Sequence, residues 1–248
     1  MKRKEIIGAL SVLLALMLAG TAVVPTVSAI EENMDPVLQV NIFEAEQAAR
    51  FGMTEISNQL NDFSAWQNGT LQNTGTYYGL DGQKTAYRYE IYSDSRYAGF
   101  ILISATRDNF PVLFASKGKA PDSLQERTSL ARNQAALEAS QKGFHLGDEQ
   151  PLYLGGTFFC TGYQLLDSEN QSVDRIVYDL TDSNILDISH PRFNTSLSEE
   201  ELLSQLKEKQ EQSRILWEKI LSNKSSDQPL ATRGSGYISG VPKYYWTR

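Results

Sequence analysis

The hydrophobic positions of the chain follow two spacings in turn. From Asn41, Ile42, Ala45, Ala49, Ile56 and Leu60 recur at helical intervals, which predicts an amphipathic helix reaching about Asp62. Asn41 stands three residues before Glu44, an approximate capping box for the first free amides. Gly52 interrupts this helix at a cost in propensity. After Asn68-Gly69 the period changes. Thr74 to Leu80 leads into Asp81-Gly82, a strong hairpin signal. Thr85 to Tyr92 then alternates Tyr87, Tyr89 and Ile91 with Arg88 and Glu90, as a half-buried strand does. Ser93 to Arg96 turns the chain into two apolar runs, Phe100 to Ile103 and Phe110 to Ala115, separated by Arg107-Asp108-Asn109. These predict neighbouring strands buried deeply enough to lose strict alternation. Pro111 places the second at a sheet edge, or at a strand start that needs no ladder hydrogen bond.

Lys117 to Pro121 ends this group. Asp122 or Ser123 is the expected cap of a helix running to about Lys142, with Leu124, Leu130, Ala131, Ala135 and Leu137 mostly on one side and Gly143 as its stop. A second strand group follows at Leu152 to Tyr163, Arg175 to Leu180 and Ile185 to Ile188, with turns at 167–171 and 181–183. Helix, strands, helix, strands is an α+β order with antiparallel sheets, not a doubly wound parallel one. Ser198-Glu199-Glu200-Glu201 opens a long helix with a capping box. Its stripe is Leu202, Leu206, Leu216 and Ile220, widened by Leu203 and Trp217 and interrupted by Lys209 and Ser213. That pattern suits a packed or partner-binding helix better than a coiled coil. The α+β region is therefore expected over 30–222, followed by a polar linker over 223–236. Residues 237–248 then hold four aromatic side chains, which suit either the start of a truncated further domain or a tail docking back on the sheet.

Composition adds compartment. The hydrophobic share of 41% and charged share of 21% are those of a globular protein. Lys2-Arg3-Lys4, the apolar stretch Ile6 to Val24 and Val27-Ser28-Ala29 make a secretory signal over 1–29, cleaved after Ala29. The expected product is secreted or extracytoplasmic and free of the membrane after cleavage. The net charge is −7 and becomes more acidic when this basic segment leaves, which disfavours nucleic acid and anionic membranes as partners. Cys160 is the only cysteine, so no internal disulfide is available. Its setting, Thr157-Phe-Phe-Cys-Thr161, is that of a small hydrophobe inside a strand.

Chemistry is sparse. A nucleophilic serine or cysteine needs a base, and the only histidines are His145, at a helix exit, and His190, before Pro191. One cysteine and two separated histidines match no metal spacing, and no glycine-rich phosphate loop follows a predicted strand, so no cofactor is expected. Asp179 and Asp182 suit a strand end and turn better than an acid–base pair. No catalytic residue is assigned, and a carboxylate enzyme in the second strand group is the weakest reading.

Three stretches carry a resemblance. Tyr97-Ala-Gly-Phe-Ile-Leu-Ile-Ser-Ala-Thr-Arg-Asp-Asn-Phe-Pro-Val-Leu-Phe-Ala-Ser116 resembles a strand pair in the propeptides of streptopain-like cysteine peptidases, and Pro151 to Ile188 resembles later hairpins of related prodomains. Ile238 to Arg248 resembles the approach to a papain-like domain of the bacteriocin-processing-peptidase type, through Gly240, Val241, Pro242, Tyr244, Tyr245 and Trp246. In that family the stretch runs into Gly-Cys-x-Pro-Thr, which holds the nucleophile. This chain ends at Arg248, and Cys160 does not match that motif. The resemblance thus implies the pro-region of an exported cysteine peptidase precursor, cut before the catalytic cysteine and inactive by itself. Its implied roles are to help the following domain fold and to inhibit it, so its partner would be its own or a related cysteine-peptidase domain. The alternative is a free-standing secreted binding or inhibitor protein.

Overall fold

The computed structural model describes residues 38–188 and 199–222. In chain order these form helix α1 (Ile42–Gln59), a 3-10 turn (Asn61–Trp66), strands β1 (Thr70–Tyr78), β2 (Lys84–Ser93), β3 (Arg96–Ser104) and β4 (Val112–Ser116), and helix α2 (Gln125–Gln141). Strands β5 (His145–Tyr153), β6 (Phe159–Leu166), β7 (Ser172–Asp179) and β8 (Asn184–Leu186) and helix α3 (Glu199–Ser222) complete them. The chain is α+β, in the order expected. It divides into two compact units, the first comprising 38–76, 84–119 and 203–222 and the second 77–83, 120–188 and 199–202 among the described residues.

The first unit is a helix on a meander. Asn41 Oδ1 accepts hydrogen bonds from the amides of Phe43 and Glu44 at 3.0 and 3.1 Å, and Glu44 Oε2 accepts from the Asn41 amide at 3.1 Å. The capping box is complete and sets the start of α1. Its strands lie in the order β4-β3-β2-β1, and β2–β3 and β3–β4 are antiparallel. Asp94 and Ser95, both with positive φ, make the tight β2–β3 turn. The buried side of α1, including Ala45, Ala49, Met53 and Ile56, packs with Tyr87, Tyr89, Ile91, Ile101 and Ile103. Burial of one such isoleucine contributes about 1.5–3 kcal/mol. Gly52 now has a reason. A Cβ there would lie 2.6 Å from Val112 Cγ2 and 2.9 Å from Ile101 Cδ1, so the helix can approach the strands only without one.

The second unit repeats the theme with different materials. Tyr78 at the end of β1 pairs in parallel with Leu152 of β5, and β5, β6, β7 and β8 then follow antiparallel. The sheet here is mixed, where antiparallel pairing throughout was expected. Neither Asp122 nor Ser123 caps α2, because a 3-10 turn (Pro121–Ser123) intervenes and the helix begins after Leu124 without a side-chain cap. Asp122 instead accepts a 2.6 Å hydrogen bond from the Tyr77 hydroxyl. Gly143, at φ 78°, ends the helix as expected, and the Phe144 amide reaches back to the Ala139 carbonyl at 2.9 Å. The buried face of α2 is Ala131, Ala135 and Ala139 against Tyr163, Leu165, Ile176, Tyr178 and Leu180. Leu130 and Leu137 are exposed, because large aromatic residues on the strands already fill the space and leave the helix room only for methyl groups.

The span Leu152 to Tyr163, expected as one strand, is a hairpin. Gly155 and Gly156, at φ 93° and 56°, turn the chain between β5 and β6. His145 is correspondingly the first residue of β5, not part of a helix exit. Ser198, His190, the linker 223–236 and the aromatic stretch 237–248 lie outside the described residues, as do the signal segment and its cleavage position Ala29.

Candidate functional site

Backbone capable of receiving a partner lies at β4. Among the described residues it is hydrogen-bonded on one side only, to β3, as the edge position expected from Pro111. Pro111 sits just before the strand, and its carbonyl accepts from the Ser104 amide at 2.9 Å. The β3–β4 register shifts between Leu102 and Ile103, which bulges Leu113, and Lys117 and Lys119 follow the strand. A short edge with a bulge, a proline and lysines at its ends resists open-ended pairing with copies of itself. It still offers main-chain donors and acceptors to one extended segment.

The hairpin bearing this edge is rigidly built. Gly99 has φ 145°, and a Cβ there would lie 2.3 Å from the Ser116 carbonyl oxygen and 2.8 Å from Trp66 Cζ2. Trp66 is fully buried and donates through Nε1 to the Ala98 carbonyl at 2.9 Å. Beside it is a pocket of about 440 Å³ lined in part by Asp62, Trp66, Asp94, Arg96, Tyr97 and Lys117. Its two acids and two bases balance, and Lys117 reaches Asp62 at 3.8 Å and lies over the Phe63 ring. That balance selects neither anions nor cations.

Cys160 and Asp179 are built into the structure. Cys160 is fully buried among Leu152, Val177 and Leu186. Burial, reinforced by the charge of Asp179, pushes its thiol well above the ordinary range, opposite to the shift an active thiolate requires. Asp179, which pairs with Cys160 across β6–β7, accepts from the amides of Thr181 and Asp182 at 2.7 and 3.4 Å. Burial raises its pKa above the usual carboxylate value despite those bonds. It shapes the turn, and Asp182 is exposed. His145 is exposed at the start of β5. Among the described residues no His, Cys, Asp and Glu gather as a metal site, and no helix is long and apolar enough to cross a membrane.

The residues Gly240, Val241, Pro242, Tyr244, Tyr245 and Trp246 lie outside the described residues. Sequence reasoning missed a different site. Lys209 and Ser213, which break the stripe of α3, both face inward, and Lys209 meets the turn between β3 and β4. The interruption itself was the signal. No protein-family model, curated protein or solved structure matches this chain.

Proposed function

We propose that this chain is the pro-region of an exported cysteine peptidase precursor, which helps a following papain-like domain to fold and inhibits it, and which hydrolyses nothing itself. One observation carries the reading: the stretch that resembles streptopain-like propeptides, Tyr97 to Ser116, coincides with the hairpin β3–β4 and its one-sided edge. An edge of this kind can hold an extended segment by main-chain hydrogen bonds, as a pro-region must when it covers a cleft or templates a strand. On this reading the buried thiol of Cys160 and the turn-bound Asp179 serve the fold.

The test is inhibition. The purified chain is titrated into a streptopain-like peptidase acting on a fluorogenic peptide, with the chain alone as a control. Saturable inhibition and no hydrolysis by the chain are expected. Turnover by the chain alone that survives repurification, or a peptidase rate unchanged at saturating chain, contradicts the proposal. Inhibition confined to peptidases of another class favours the free-standing inhibitor.

A further inference from the structure

The inward face of α3 carries a lysine where a leucine would pack more cheaply. Lys209 Nζ donates a hydrogen bond to Asn109 Oδ1, on the turn between β3 and β4. The same asparagine is held from two other sides. Its Nδ2 donates to Thr106 Oγ1 at 3.3 Å, and its main-chain carbonyl accepts from Trp217 Nε1 of α3 at 2.9 Å. Trp217 is 1% exposed, while the lysine and asparagine it stands beside are half-buried. Asp108 stands next to Asn109, with its Oδ1 buried and without a hydrogen-bond partner among the described residues, and its charge acts on Lys209. Arg107, the nearest cation in sequence, is directed elsewhere and bonds Glu44 at 2.7 Å.

An amine, a carboxamide and a carboxylate are thus gathered at one half-buried site. Burial lowers the pKa of Lys209, outweighing the opposing pull of the Asp108 charge, and so raises the share of free amine, the form with a lone pair to give. The amide is polarised at its oxygen by the lysine and held at its nitrogen by Thr106.

We propose that Lys209 and Asn109 become joined by an intramolecular isopeptide bond, with Asp108 carrying the proton. The carboxamide rotates to present Cγ to Nζ. The Nζ lone pair attacks Cγ, and the carbonyl π pair moves onto Oδ1. Asp108 takes a proton from the attacking nitrogen and delivers it to Nδ2. The carbonyl reforms, the Cγ–Nδ2 bond breaks and ammonia departs. One amine and one primary amide become one secondary amide and ammonia, nothing is oxidised or reduced, and no co-reactant is needed. The bond closes a loop spanning 100 residues in a chain with a single cysteine. It restrains the unfolded chain as a disulfide would, and ties down the helix that precedes 223–236. This inference is independent of the pro-region reading.

Mass spectrometry of the full folded chain tests it. The intact mass should fall short of the sequence mass by one ammonia. Trypsin should release 108–117 joined to 208–214, since Lys209 would no longer be a cleavage site. Lys209→Arg should abolish the joined peptide. Asp108→Asn, which keeps both reacting groups, should leave a folded chain with the peptides free. A wild-type chain that is folded by tryptophan fluorescence yet yields both peptides unjoined overturns the proposal, as does an ammonia loss confined to Asn68-Gly69. A joined peptide in Asp108→Asn overturns the role of Asp108.

Discussion

The two units set a helix on a sheet in opposite ways. In the first, large aromatic residues anchor the packing and their polar atoms are satisfied by main-chain carbonyls. Trp66 bonds Ala98, Trp217 bonds Asn109, Tyr87 bonds Val40 at 2.9 Å and Tyr89 bonds Ile42 at 3.0 Å. In the second, three alanines of α2 lie on Tyr163 and Tyr178, whose buried hydroxyls come near Thr161, Glu149 and Ser183 without forming a hydrogen bond of ordinary geometry. Thr161 and Glu149, which lie on the side of Tyr163, bond each other at 3.2 Å instead. The aromatic residues under α1 and α3 are fixed by directional bonds, and the two tyrosines under α2 by close fit. Satisfied polar atoms fix a unique arrangement, while an unsatisfied hydroxyl costs desolvation and returns nothing.

The contrast is broken most severely at its anchors. Trp217→Ala removes the largest buried contact of α3 and the bond to Asn109, and should cost about 3–5 kcal/mol in urea unfolding. In the second unit the damage should come from addition. Ala135 is fully buried, and Ala135→Leu should cost about 1–3 kcal/mol by overpacking, where the same change at exposed Leu137's side of the helix would be tolerated. A loss of under 1 kcal/mol at Ala135 would show that α2 is loosely seated.

Removing single hydroxyls sharpens the comparison. Tyr87→Phe should cost about 1 kcal/mol, because it orphans the Val40 carbonyl. Tyr163→Phe should be neutral within about 0.5 kcal/mol, or stabilising, because its hydroxyl is already unpaired. Burial pushes the Tyr163 pKa up to about 12. Equal losses in the two variants would erase the distinction between the units.

The smallest expected effect is a pH dependence in the second unit. Burial raises the pKa of Asp179 above its ordinary 3.8. Between those two values the folded chain keeps a proton that the unfolded chain has lost. The contribution of Asp179 is therefore complete below 3.8 and is lost as pH rises through the folded pKa. Asp179→Asn keeps an acceptor for the Thr181 amide and removes the charge. Its melting temperature, relative to wild type, should rise between about pH 3 and about pH 7. A constant difference would assign Asp179 no role in that dependence.

Local rules made the first unit legible in the sequence. The Asn41–Glu44 box, the alternation of β2 and the edge signal of Pro111 each depend on neighbours in the chain. The second unit was harder, for a physical reason. Which face of α2 is buried depends on Tyr163 and Tyr178, which belong to strands later in the chain and displace Leu130 and Leu137 to solvent. The β5–β6 hairpin was hidden because the apolar residues around Gly155-Gly156 continue the strand pattern through the turn. The candidate edge could be read from Pro111, but the meeting of Lys209 with Asn109 could not, since it closes across 100 residues. Only the break in the stripe of α3 marked one half of it.

We propose that this chain serves a peptidase as its pro-region. Reading the coding sequence beyond codon 248 in all three frames tests it most directly. The pro-region account predicts Gly-Cys-x-Pro-Thr in one frame directly after Arg248, with a histidine codon further on. A stop codon in the reading frame, with no such motif in any frame, would contradict it.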